Sequence, residues 1–108
     1  MPEKAPLVQG TLDMLILKTL ALEPMHGYGI GARLAASSRG VFQVNPGSLF
    51  PAFRRLERAG LIRAEWRATE SNRRAKYYVA TERGLKRLGA ETRRWRALSG
   101  AIARVLQA

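Results

Sequence analysis

Cysteine is absent from the 108-residue sequence, and histidine occurs only once, at His26. Without cysteine the chain can form neither disulfides nor thiolate metal sites, which fits a reducing compartment such as the cytoplasm. A lone histidine has no second imidazole with which to build a metal site or a catalytic pair. We therefore expect a cytoplasmic protein without metal or other cofactor, in which His26 has a structural role at the start of a helix.

Long hydrophobic runs are also missing. The main apolar stretch, residues 12–22, is shorter than the roughly 20 residues that span a bilayer as a helix, and it contains Asp13 and Lys18. No segment has the features of a secretory signal. The sequence therefore predicts a protein that has no membrane partner.

The residue combinations that enzymes use for catalysis are not evident either. No pair of carboxylates is spaced to converge in a plausible cleft. The segment Gly27-Tyr28-Gly29 lacks the following Lys and Ser or Thr of a phosphate-binding loop. We therefore predict that the protein is not an enzyme.

Acidic residues are few beside the basic ones: 8 Asp and Glu stand against 19 Lys and Arg, for a net charge of +11. Residues 54–76 carry eight basic and three acidic residues, and residues 77–108 carry seven and two, so each segment nets +5. Such a surface suits a polyanionic partner. Composition alone leaves both nucleic acid and an anionic membrane open as that partner.

The first part of the chain contains the signals of two helices after a loose arm over residues 1–6. Thr11 is the predicted N-cap of a first helix that runs to about residue 22. This helix is apolar on nearly all sides, so part of its surface is predicted to need a partner subunit. A second helix is predicted over residues 28–37, and residues 41–44 are predicted to be extended.

The third helix has the clearest boundaries. Asn45 is its predicted N-cap, Pro46 occupies its first position, and Gly60 follows its last turn as a left-handed cap. Its inward stripe is apolar. Its opposite face is predicted to carry Gly47, Pro51, Arg54, Arg55 and Arg58.

A hairpin is predicted next, with strands over residues 61–68 and 76–80 and a polar, basic tip over residues 69–75. Three helices followed by a basic hairpin indicate a mainly α winged helix-turn-helix with one small β-hairpin. In that fold the third helix enters the major groove of DNA and the hairpin, or wing, reaches the flanking backbone. The residues that would contact DNA are then Asn45 at the amino end of the third helix, Arg54, Arg55 and Arg58 on its outer face, and Asn72, Arg73, Arg74 and Lys76 on the wing. Tyr28, at the start of the second helix, is predicted either to donate to a phosphate or to pack against the third helix.

The last helix is predicted to start at the N-cap Thr81 and to continue to about residue 106. Residues at alternating spacings of three and four form a heptad seam, which is typical of helices that pair with one another. We expect residues 1–80 to form the DNA-binding domain and residues 81–108 to form a dimerisation helix. The predicted dimer contacts are Leu12, Leu15 and Ile16 from the first helix, and Leu85, Leu88, Thr92, Trp95, Ser99, Ile102 and Leu106 from the last.

Trp95 has a second interpretation. A tryptophan in a two-fold seam is most often a core residue, but together with Ser99, and with Trp66 elsewhere, it could line a pocket for a flat aromatic effector. A small aromatic effector is therefore a candidate partner.

Five stretches of the chain, in order, resemble the PadR family, the phenolic acid decarboxylase regulators. The resemblance is to the branch with a single C-terminal helix. The matching stretches are residues 7–20 (LVQGTLDMLILKTL), 26–30 (HGYGI), 47–57 (GSLFPAFRRLE), 71–78 (SNRRAKYY) and 81–84 (TERG).

This resemblance implies a homodimeric transcriptional regulator, usually a repressor, that binds an inverted-repeat operator and releases it when an effector binds. It implies operator contacts at Tyr28, Gly47, Ser48, Pro51, Arg54, Arg55, Asn72, Arg73, Arg74 and Lys76. The chain departs from the family at Phe50, where members commonly have Tyr, so that position has no hydroxyl to donate to a phosphate. Phe53 replaces a more usual Leu, which should alter packing only. A nucleic-acid or membrane binder without sequence preference remains the alternative.

Overall fold

The computed structural model describes residues 10–108, and the arm expected over residues 1–6 and the first three residues of the stretch 7–20 lie outside that range. The described chain is mainly helical and contains one small antiparallel sheet, so the predicted fold class is confirmed. The elements, in order, are α1 (Thr11–Leu22), β1 (Met25–His26), α2 (Gly27–Ser37), α3 (Pro46–Arg58), β2 (Ile62–Ala68), β3 (Arg74–Ala80) and α4 (Glu82–Gln107).

The start of α1 differs from the sequence prediction by one residue. Gly10, not Thr11, is the N-cap, and it has a left-handed backbone with φ of 88° and no side-chain capping bond. Glycine adopts that conformation without the steric cost that a threonine would meet. Thr11 is therefore the first residue inside the helix, and the prediction that it caps α1 is wrong.

The segment between α1 and α2 contains a strand that the sequence did not reveal. Met25 and His26 form β1 and pair with Tyr78 and Tyr77 of β3, which gives the sheet the strand order β1-β3-β2. Two residues are too few to show a strand periodicity. His26 also caps α2, because its Nδ1 accepts a hydrogen bond of 3.1 Å from the amide of Gly29, so it has the structural role expected.

The predicted ends of α3 are confirmed. The side chain of Asn45 accepts a hydrogen bond from the amide of Ser48 at 3.0 Å, and Pro46 occupies the first turn, where its missing N–H costs nothing. Gly60 follows the helix with φ of 74°, as a left-handed C-terminal cap requires. Before the helix, residues 41–44 form a bend and an irregular segment with no strand.

The hairpin is longer on its second strand than predicted. β3 begins at Arg74, which pairs with Ala68, so Arg74 and Lys76 lie within a strand and not on a loop. Residues 69–73 connect the two strands and form the tip. The amide of Thr69 donates to the carbonyl of Arg73 at 2.7 Å, so residues 70–72 form a three-residue turn. The amide of Asn72 donates to the carbonyl of Thr69 at 2.9 Å, and Asn72 has the left-handed conformation typical of the last position of such a turn.

The core lies between α1, α2, α3 and the inner face of the sheet. Its largest fully buried side chains are Phe53, Ile16, Leu17, Ile30 and Leu56. This placement corrects the list of predicted dimer contacts. Ile16 has no exposed surface because it packs inside its own subunit, so it is not available to a partner. Leu12 and Leu15 are partly buried against the same core.

α4 leaves the sheet through a tight junction. The hydroxyl of Thr81 accepts a bond from the amide of Gly84 at 3.0 Å and donates to the carbonyl of Gly60 at 2.7 Å. Gly84 is buried, and a Cβ there would overlap the carbonyl oxygen of Leu61. The helix then packs along α1 and continues for 26 residues in all, close to the predicted length.

Candidate nucleic-acid interface

The outer face of α3 presents the residues that the sequence predicted for it. The inward side chains Leu49, Ala52, Phe53 and Leu56 are buried, which fixes the rotation of the helix on the core. The opposite face is solvent exposed and contains Gly47, Ser48, Pro51, Arg54, Arg55 and Arg58. The structure therefore brings this part of the predicted site together on one surface.

The three arginines of this face differ in their surroundings. Among residues 10–108, neither Arg54 nor Arg58 forms an ion pair with a carboxylate. Arg55 does: its Nη2 lies 2.6 Å from Oδ1 of Asp13 at the start of α1. This carboxylate was not predicted as part of the site, because 42 residues separate it from its partner and no local pattern joins them.

The amino end of α3 is only partly free to bind an anion. Pro46 has no N–H, and the amide of Ser48 already donates to Asn45. Among the described residues, the amide of Gly47 has no hydrogen-bond partner, so it is the donor left for a phosphate. A Cβ at Gly47 would lie 3.1 Å from Oδ1 of Asn45 and would crowd the cap. Asn45 keeps its amide nitrogen for a further contact.

The wing residues divide into two groups. Asn72 and Arg73 are exposed at the tip, as predicted. Arg74 lies on β3 with its guanidinium 5.8 Å from the ring centre of Trp66. Lys76 is farther from the tip, with its Nζ 3.4 Å from Glu57 of α3, because β3 carries it back toward that helix. The placement of Arg74 in the predicted tip is therefore wrong, whereas Lys76 lies in the second strand as its predicted range of 76–80 required, and it remains beside α3.

Tyr28 occupies a third position around this surface. It lies in the first turn of α2, 71% exposed, with its ring packed edge-on against Phe50 at 5.8 Å between centres. A shallow cleft joins these two rings to Thr69 and Lys76 of the wing. Phe50 thus lies within the basic surface and offers it an apolar edge, in agreement with its lack of a hydroxyl.

The outer face of the sheet carries its own charge cluster, directed away from α3. Glu65 of β2 accepts hydrogen bonds from Arg67 and Arg63 on the same strand. These bonds, chiefly that from Arg67, hold the pKa of the Glu65 carboxyl below its ordinary value. Arg63 and Arg67 are therefore partly neutralised, which leaves the α3 face and the wing tip as the more available positive surface.

The predicted dimer seam of α4 is split in two by the structure. In the first half, Leu88 packs against the subunit's own core, and the hydroxyl of Thr92 donates to the carbonyl of Leu88 at 2.7 Å. In the second half the apolar side chains are uncovered. Exposed fractions are 54% at Leu98, 50% at Ile102, 74% at Val105 and 79% at Leu106, and Trp95 at mid-helix is 36% exposed. The first half is not fully covered either, since Leu85 is 46% exposed.

Of the two residues of the predicted effector pocket, Trp95 lines a cleft in which Ser99 takes no part. Trp95 lines a cleft between the start of α1 and the middle of α4, together with Met14, Leu98, Glu91 and Arg94. Ser99 is not in its lining, and the Ser99 hydroxyl donates to the carbonyl of Arg96 at 3.4 Å. Trp66 lies on the hairpin beside Arg74 and does not reach this cleft.

Residues 10–108 contain neither a candidate metal site nor a candidate membrane-spanning helix. No three side chains of the metal-binding types, His, Cys, Asp or Glu, converge in that part of the chain. None of the helices described there is both long enough and apolar enough to cross a membrane.

Comparison with known proteins identifies the fold and the family. Residues 16–90 match the model of the transcriptional regulator PadR-like family. The chain belongs to that family. As a PadR-like protein it is a DNA-binding transcriptional regulator, and the basic α3 face and wing lie on the elements that this class of fold directs at DNA.

Individual PadR-like relatives agree over most of the chain. A PadR family regulator from Eggerthella lenta is 34% identical, with a TM-score of 0.78 over 93% of this chain and 85% of the other. A PadR-like regulator from Bacillus cereus is 27% identical, with a TM-score of 0.83 over 93% and 95%. An uncharacterized protein of Lysinibacillus sphaericus is 26% identical over 92 residues, 85% of this chain and 84% of its own length.

Proposed function

We propose that this PadR-like protein is a repressor that binds an inverted-repeat operator as a homodimer in the cytoplasm. Residues 1–80 would bind DNA and residues 81–108 would join the subunits. The observation that carries the proposal is the exposed basic face of α3, which lies beside a second basic element, the hairpin tip, on a regulator fold.

The division of contacts follows from the surroundings of each side chain. Arg54 and Arg58 project from α3 without carboxylate partners among residues 10–108, so they are available to phosphates or to the two acceptors of a guanine edge. Arg73 at the wing tip would contact the backbone of the flanking duplex. Tyr28, 71% exposed at the start of α2, would donate its hydroxyl to a phosphate.

Dimerisation is supported by the uncovered second half of α4. Leu98, Ile102, Val105 and Leu106 are each at least half exposed, and a second copy of the same helix would cover them. Two-fold pairing would place two α3 helices about one turn of DNA apart, roughly 34 Å, and so select an inverted repeat.

An effector would act at the α1–α4 cleft. Trp95 is 36% exposed there, beside Met14 and Leu98, and offers a face on which a flat aromatic molecule could stack. Such a molecule would separate α4 from α1 and change the angle between the two subunits. We propose this as the route by which DNA is released.

The test begins with selection of bound fragments from random-sequence duplexes. We expect a palindromic consensus, and we expect unrelated duplex DNA to compete poorly for the protein. Arg54→Ala should weaken binding to the selected duplex by about 1–3 kcal/mol if the side chain contacts a base. Arg73→Ala should weaken selected and unrelated duplexes alike and reduce the salt dependence of binding by about one phosphate.

Arg104→Ala is the matched control, because it removes the same charge from the far end of α4 and should change little. Equal competition by random DNA would favour a binder without sequence preference. Unchanged affinity in both the Arg54 and the Arg73 variants would show that this surface does not bind DNA.

A further inference from the structure

The ion pair between Asp13 and Arg55 connects the first turn of α1 to the outer face of α3. The bond of 2.6 Å joins Oδ1 of Asp13 to Nη2 of Arg55, and the two side chains are 32% and 57% exposed. It places a negative charge at the edge of the basic surface, as Glu57 does beside Lys76. A carboxylate there opposes the attraction of DNA phosphates, so its presence needs a reason.

The guanidinium of Arg55 is held at one end only. Its Nη2 is bound to Asp13, and Nη1 and Nε have no hydrogen-bond partner among residues 10–108. A guanidinium carries five donors in a rigid plane, so fixing one nitrogen sets the direction of the others. Arg55 is thus oriented in advance and still has the donors for a two-bond contact with a guanine edge.

Asp13 is itself firmly placed. It is the third residue of α1, where a negative charge is favoured by the helix dipole. The next turn of α1 anchors the helix in the core through Ile16 and Leu17, neither of which has exposed surface. The carboxylate therefore stands on a rigid support and not on a mobile loop.

We infer that Asp13 is a positioning residue for DNA recognition, which directs Arg55 toward a base and weakens its attraction for phosphates. This inference rests on the proposed function. Binding to unrelated DNA depends on phosphate contacts, whereas discrimination depends on correctly directed base contacts. Asp13 therefore increases the ratio of operator affinity to unrelated-DNA affinity.

Asp13→Asn tests the inference, because it removes the charge and nearly keeps the shape. The probes are the duplex recovered by selection and a scrambled duplex of the same composition. We expect the scrambled duplex to bind about two- to fivefold more tightly, as for the loss of an exposed ion pair that competes with DNA. The salt slope with that duplex should steepen by about one phosphate contact. Affinity for the selected duplex should not rise, so the ratio falls.

Glu23→Gln is the matched control. Glu23 follows the other end of α1 and forms a similar pair with Arg33 of α2, at 2.7 Å. Like Asp13→Asn, Glu23→Gln removes one negative charge from the protein, but it does so away from the α3 face. It should leave the ratio of the two affinities close to the wild-type value. Asp13→Glu restores the charge and should restore the wild-type salt slope. That result would attribute the effect of Asp13→Asn to the lost charge and not to altered folding.

A double-mutant cycle isolates the pair. In an Arg55→Ala background, Asp13→Asn should no longer change the ratio. The inference is overturned if Asp13→Asn alters the ratio equally with and without Arg55, or if it behaves like Glu23→Gln. If Arg54→Ala and Arg55→Ala both leave binding unchanged, the proposed function itself fails. If they weaken binding while Asp13→Asn matches its control, only the role of Asp13 is lost.

Discussion

Residues 10–80 and the second half of α4 differ in how far their apolar side chains are buried. In the first region, the head (residues 10–80), Ile16, Leu17 and Ile30 have no exposed surface. In the second, the tail (residues 96–107), Ile102 is 50% exposed and Leu106 is 79% exposed. The head encloses a buried core within one chain, although Leu22, Tyr28 and Trp66 are exposed, whereas no residue of the tail is buried.

The difference shows how a small chain divides its stability. A chain of this size buries well under about 70% of its unfolded surface, and one compact core accounts for most of that. A helix of 26 residues is roughly 39 Å long. It contacts α1 and β3 of the same subunit, but residues 102–107 at its end are all exposed. Folding and association therefore depend on different segments, so a substitution can alter the stability of the fold or the stability of the dimer separately.

The largest effect is expected at the junction of head and tail. Gly84→Ala places a methyl group against the carbonyl oxygen of Leu61, which is backbone and cannot move aside. We expect the free energy of unfolding to fall by about 3 kcal/mol, measured by urea denaturation. Gly89→Ala is the control. Its added methyl would lie 3.4 Å from the flexible end of Arg93, and it should stabilise α4 by about 0.5–1 kcal/mol. Similar stability of both variants would contradict the close packing at Gly84.

A smaller effect, confined to association, is expected in the tail. Ile102→Asp puts a charge at the centre of the exposed apolar surface and should weaken the dimer by about 2 kcal/mol, measured by sedimentation equilibrium. The folding of the head, followed by the far-ultraviolet circular dichroism of the whole chain, should not change. Ala103→Asp adds the same charge on the helix face that Arg96 occupies seven residues earlier and should have less effect. An unchanged dimer in the Ile102 variant would mean that the tail does not join subunits.

The smallest effect is expected on the outer sheet of the head. The lowered pKa of Glu65 means that its pairing with Arg67 and Arg63 stabilises the folded state above the unfolded pKa, near 4.5. That stability is lost as the pH falls through the lower folded value. Glu65→Gln should therefore be slightly less stable than wild type at pH 7 and equal to it in strong acid, as measured by thermal unfolding. Glu70→Gln, at the hairpin tip, is the matched control, because Glu70 forms no ion pair with another of residues 10–108.

Local signals in the sequence identified the elements that carry the basic surface. Asn45, Pro46 and Gly60 delimit α3, because capping depends on residues within one turn of the helix end. The apolar stripe of α3 fixed which face points outward, and so which arginines are exposed. The sequence did not predict β1, because that strand is stabilised by pairing with β3, which is distant in the chain. It did not predict Gly10 as the N-cap of α1, because the next residue, Thr11, is a common N-cap residue type and Gly10 caps through its backbone conformation alone.

The order of the helices, the boundaries of α3 and α4, and the concentration of positive charge on α3 and the hairpin could be predicted from residue patterns. These properties depend on periodicity and on neighbours a few residues away. Three other features follow only from the folded chain: Ile16 is internal, Ser99 lies outside the cleft of Trp95, and Asp13 pairs with Arg55. Such facts depend on how helices far apart in the chain are rotated against one another, which packing of the whole core sets.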